Sequence, residues 1–113
     1  MKINNVDFDL VTKDAIKAAK EVVTEEWDQL SDIVENIGKS IVSDVEFIAK
    51  KKVTGEFDES DAIIFMEDQK TVARMRLRSI AIVTLKSAER IWNVIIEVFN
   101  SAINKAIGWT ILT

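Results

Sequence analysis

Ten apolar residues between Ile16 and Ile48 follow one another at intervals of three or four: Ile16, Ala19, Val23, Trp27, Leu30, Val34, Ile37, Ile41, Val45 and Ile48. That spacing keeps side chains on one face of an α-helix and on no single face of a strand. The second half repeats the pattern through Met66, Ala73, Leu77, Ile80, Ala88, Ile91, Ile95, Val98, Ala102 and Ala106. A further row, Val72, Met75, Ile82, Trp92, Ile96, Phe99 and Ile103, runs beside it and makes the apolar face of that half wide. Proline is absent and glycine occurs three times, whereas turn-rich β architectures need both at their corners. The expected fold is all-α: two long helices folded back as an antiparallel hairpin.

A chain of 113 residues is of single-domain size. Residues 1–11, with the alternation Val6-Asp7-Phe8-Asp9-Leu10, read as an extended arm. Thr12 suits an N-cap and Asp14 the first turn behind it, so the first helix is expected over 12–52. Gly38 is its weakest point. An interior glycine costs only about 1 kcal/mol, and the stripe passes it in phase, so a continuous helix is expected there. Lys50, Lys51 and Lys52 suit a helix C-terminus, Gly55 a turn, and Glu56, Asp58, Glu59 and Asp61 the start of the next helix, capped by Asp58 or Ser60. The second helix is expected over 58–107, with 108–113 as a tail.

Charge is divided unevenly. Residues 1–61 hold 15 acids and 8 bases, residues 62–113 hold 4 and 7, and all four arginines lie in the second part. Lys70, Arg74 and Arg78 form one basic row, which a nucleic acid could read. A fold-back at Gly55 offers the row a different purpose. It sets Arg78 opposite Asp32, Arg74 or Arg76 opposite Glu35 or Asn36, Lys86 opposite Glu25, and Arg90 opposite Glu21. Exposed pairs contribute ~0–1 kcal/mol each, so their expected role is to set register, as flanking charges do in coiled coils.

Between Ile91 and Thr113 the only charged side chains are Glu97 and Lys105. A two-helix hairpin covers one side of such a helix, leaving part of Ile91, Trp92, Ile95, Ile96, Phe99, Ile103 and Trp109 in need of a cover. Three covers fit. Copies of the chain, or another helical protein, could complete a four-helix bundle. A bilayer surface could take the segment with Trp92 and Trp109 as anchors. The N-terminal arm could fold over the end, with Phe8 and Leu10 against Trp109 and Leu112.

Chemistry is constrained by what is missing. Histidine and cysteine are both absent, which removes the commonest general base, the commonest transition-metal ligand and every thiolate site. Gly38-Lys39-Ser40 resembles the end of a phosphate-binding loop, but Ile33 stands where that loop needs a glycine. Glu21, Glu25, Glu46, Glu67 and Glu89 are carboxylates without the histidines of a di-metal bundle site. Glu97, set among apolar residues, is a candidate buried acid. No nucleophile–base pair can be assembled. The expectation is a non-enzymatic, self-associating structural, assembly or adaptor protein, of the kind a virus or phage encodes, with no cofactor or metal and the C-terminal helix as its contact surface. A membrane-docked protein using residues 91–113 is the alternative, and nucleic-acid binding through Arg74, Arg76 and Arg78 the third. The N-terminus lacks the features of a secretory signal, which points to the cytoplasm or a virion.

Overall fold

The computed structural model describes residues 2–79 and 84–111. Its elements are strands β1 (Lys2–Ile3) and β2 (Val6–Asp7), followed by helices α1 (Phe8–Val22), α2 (Trp27–Thr54), α3 (Glu59–Arg78) and α4 (Leu85–Ile107). The protein is all-helical apart from the small antiparallel hairpin, in which Lys2 pairs with Asp7 and Ile3 with Val6.

The hairpin replaces the extended arm expected over 1–11. Asn4 and Asn5 form its two-residue turn at φ 49° and 66°, a left-handed conformation that asparagine tolerates better than other side-chain-bearing residues. Helix α1 then starts at Phe8, four residues before the expected cap. Asp7 is the cap, its carboxylate accepting the Asp9 N–H at 3.0 Å. Thr12 lies inside the helix, where its hydroxyl donates to the Phe8 carbonyl at 2.7 Å.

The first long helix is interrupted, and not at Gly38. It turns at residues 23–26, between α1 and α2. Val22, Val23 and Thr24 are three β-branched residues in succession, which lose side-chain freedom in a helix. Glu25, Glu26 and Asp28 suit the start of a helix better than the end of one. Gly38, by contrast, is buried within an unbroken α2. A Cβ placed there would lie 3.2 Å from Thr12 Cγ2, so the missing side chain lets α1 come close.

Helix α2 ends at Gly55, which adopts φ 78° while Glu56 and Phe57 donate to the Lys51 carbonyl. Asp58 caps α3 in a reciprocal arrangement, accepting the Asp61 N–H as Asp61 accepts that of Asp58. The helix expected over 58–107 is divided as well. Ser79 closes α3, and Thr84 caps α4 by accepting the Ser87 N–H at 3.1 Å. Ile80 and Ile82 of the apolar rows, and Leu112, lie outside the described residues.

These interruptions give four helices among the described residues. Helices α2 and α4 meet each other and both of the remaining two, while α1 packs on α4 and α2, and α3 on α2 and α4. Phe8, Leu30, Ile37, Ile48, Met66 and Phe99 are among the side chains sealed inside. Burying each such side chain contributes ~1.5–3 kcal/mol. At one end the chain is tied across elements. Asn4 Nδ2 donates to the Lys105 carbonyl at 3.2 Å, and Lys52 Nζ donates to the Ile107 carbonyl while lying 4.6 Å from the centre of the Trp109 ring. A cation from α2 thus serves the carbonyl end of α4, where the helix dipole favours it.

Candidate interaction surface

The C-terminal helix is not the open face that its composition suggests. Ile91, Trp92, Ile95, Phe99 and Ile103 are buried within a single copy, and Ile96 and Trp109 are half-buried. Their principal cover is α1, with β2 also touching α4. Of the three covers considered, the N-terminal segment is the one in place, as a folded helix rather than an arm. Phe8 is buried there, whereas Leu10 points outward. Glu97, expected to be buried, is exposed.

The basic row also finds different partners. Arg74 grips Glu89 with three hydrogen bonds, of 3.3 Å from Nε and 2.8 Å twice from Nη2, and Arg78 Nη2 reaches the same carboxylate at 2.6 Å. Neither pairs with Glu35 or Asp32; Glu35 lies 3.7 Å from Lys39 on its own helix. Among the described residues no ion pair joins Glu21 or Glu25 to Lys86 or Arg90. The reason is geometric. The turn at 23–26 places Glu21 on α1 and Glu25 in a loop, and the division between Ser79 and Thr84 ends the register that a single second helix would have kept. Hydrogen bonds from Arg74 and Arg78 hold the Glu89 carboxyl below its usual range.

Arg76 does meet Asn36 on α2, one of the pairings the fold-back at Gly55 offers, donating to Asn36 Oδ1 and Ser40 Oγ at 3.1 Å each. Asn36, Ser40 and Asp44 are spaced four apart and form a polar seam on the side of α2 that meets α3. Asp44 is half-buried in this seam. Desolvation pushes its carboxyl from 3.8 to about 6, against the attraction of Arg76. The folded chain therefore binds more protons than the unfolded chain between about pH 4 and 6, and stability falls as pH rises through that window. Asp44→Asn is expected to raise Tm at pH 7 by about 4 °C, which corresponds to ~1 kcal/mol after allowance for solvent screening. The gain should vanish near pH 4. Thermal melts of the two proteins at both pH values check this, and equal melting temperatures at pH 7 would refute it.

One row of apolar side chains on α3 stays uncovered. Ala62, Met66, Ala73 and Leu77 form its buried side. The opposite side carries Ile64, Val72 and Met75, respectively 63%, 42% and 62% exposed. At 100° per residue these three fall within one quadrant of the helix. α2 and α4 occupy the flanks, marked by Arg76 on one and Arg74 on the other. Leu85, 62% exposed, begins the next helix. The sequence pattern holds Val72 and Met75 in the second apolar row, but on α4 that row is buried at Trp92, Phe99 and Ile103 and half-buried at Ile96, whereas on α3 it is bare.

An aromatic cluster with one exposed member, Phe47, lies at the turn between α2 and α3, where Phe57 and Phe65 are half-buried. Phe47, Phe57 and Phe65 gather with ring centres 5.0–6.1 Å apart. Such contacts add about 0.5–1.5 kcal/mol per pair beyond burial. Lys51 lies 5.4 Å above Phe47 and 2.8 Å from Glu56. The clue to this triad in the sequence is that all three phenylalanines stand within ten residues of Gly55.

Among the described residues, no three His, Cys, Asp or Glu side chains come together to hold a metal ion, and no helix is long and apolar enough to cross a membrane. No protein-family model matches the chain, and no curated protein or solved structure matches it either.

Proposed function

We propose that this is a non-enzymatic structural or adaptor protein that acts by associating with itself. The observation that carries the reading is the row of exposed apolar side chains on one side of α3, Ile64, Val72 and Met75, which the packing of the helices leaves in water. Isoleucine, valine and methionine gathered on one quadrant of a helix are costly to keep in water, and association relieves that cost. Two chains joined here would form a larger helical assembly, in place of the four-helix bundle built from two hairpins.

The competing surfaces are weaker. A lipid-docked helix over 91–113 would have to withdraw Ile91, Ile95 and Phe99 from the core. A nucleic acid would compete with Glu89 for Arg74 and Arg78, and with Asn36 and Ser40 for Arg76.

Sedimentation velocity over roughly 10 to 500 µM protein tests the reading, since interfaces of this modest size dissociate in the micromolar range or above. The expected result is a weight-average mass that climbs from the 12.8 kDa of one chain toward a multiple of it. A constant 12.8 kDa across the range would reject self-association. Recovery of the chain with liposomes would favour lipid docking instead.

A further inference from the structure

Helix α3 is divided by charge. From Glu56 to Asp68 there are six acids and no base, and from Lys70 to Arg78 four bases and no acid. The helix dipole accounts for Glu59 and Asp61 in the first turn and for Arg76 and Arg78 in the last. It does not account for the middle, where Glu67 and Asp68 give way to Lys70 and Arg74 beyond the reach of either end.

Internal pairing does not cancel the division. Arg74 and Arg78 share the single carboxylate of Glu89, which leaves one positive charge in excess at that end. Lys70 pairs with Glu67 at 3.3 Å. At the other end, Asp58 and Asp61 bond each other's backbone N–H groups rather than cations.

Resting on the reading of self-association, we propose that two copies pair through the outer faces of α3 in antiparallel fashion about a two-fold axis near residues 69 and 70. In that register Ile64 of one copy meets Met75 of the other, and Asp61 meets Arg78, each contact occurring twice. Asp68 and Thr71 flank the axis. A surface that carries its own complement is what an isologous dimer requires. A parallel pair would set the acids against one another and the arginines likewise. A lipid surface is disfavoured by Asp68 in the middle of the apolar row, and a nucleic acid by the acidic half.

Twenty residues of α3 span about 30 Å. One helix face of that length buries well under the ~800 Å² per partner of a standard interface, so the dimer is a weak one, sensitive to concentration and to salt.

The test uses exposed positions, where substitution leaves the fold intact. Met75→Glu and Ile64→Lys should each weaken dimerisation at least about tenfold by sedimentation, with helical content and Tm unchanged. The double variant Ile64→Lys/Met75→Glu should return to within about threefold of the parent, because each lysine then faces a glutamate of the other copy. If the parent associates and the single variants associate equally well, this surface is overturned while self-association stands. If the double variant is weaker than either single one, the antiparallel register is overturned. A parent that stays monomeric removes both.

Discussion

Phe8→Ala is expected to lower the free energy of unfolding by about 3–5 kcal/mol, the range for truncating a fully buried phenylalanine. Phe8 is completely buried at the first turn of α1, and α1 is the principal cover of α4. The phenyl ring therefore fastens the segment that keeps Ile91, Ile95 and Phe99 from water. Its removal leaves a cavity where the hairpin, the start of α1 and α4 converge. A domain of this size has about 5–15 kcal/mol in total, so the variant should unfold at a much lower urea concentration. Trp92 and Trp109 on or beside α4 report the transition by fluorescence. Leu10→Ala is the control: Leu10 lies two residues along the same helix but is 59% exposed, and its loss should change stability by no more than ~0.5 kcal/mol. Equal losses for the two variants would mean that α1 does not anchor α4.

That pair of residues shows why α1 is hard to read from sequence. Helical character is legible in the intervals of three and four and in the missing proline. The turn between α2 and α3 is legible too, because Gly55 takes a left-handed conformation and Asp58 a cap that few other residues fill equally well. The turn at residues 23–26 is hidden by phase. Val23, Trp27 and Leu30 stay on one stripe whether or not the helix continues, since both α1 and α2 turn their apolar side to the same core. Only the β-branched run Val22-Val23-Thr24 and the acids after it mark the place, and each alone is a weak signal. Once that turn is missed, the arithmetic of buried surface goes wrong. A hairpin of two helices leaves the C-terminal helix bare, whereas four helices cover it and leave α3 bare.

The excess of apolar surface is real in the sequence; its location is a property of the tertiary fold. The same holds for charge. The basic row of α3 is visible, but its partner Glu89 stands fifteen residues beyond Arg74. Only the division of the second helix between Ser79 and Thr84 brings the two together.

Ile95→Glu and Met75→Glu separate these two kinds of apolar position most sharply. Both residues lie on helices and both belong to the apolar rows of the second half, so pattern alone ranks them together. Ile95 is 1% exposed and packed in the core. A glutamate there must either carry an unpaired charge among isoleucines or take up a proton at neutral pH, and either costs several kcal/mol on top of the lost apolar contacts. The expected loss exceeds about 4 kcal/mol, and the protein should be largely unfolded or aggregated near 37 °C. Met75→Glu, 62% exposed in the parent, should melt with the parent and lose only its association. Circular dichroism melts of the two variants, read beside their sedimentation, decide the matter. If Ile95→Glu folds normally and merely dissociates, α4 is an interface after all and the cover provided by α1 is not what excludes water from it.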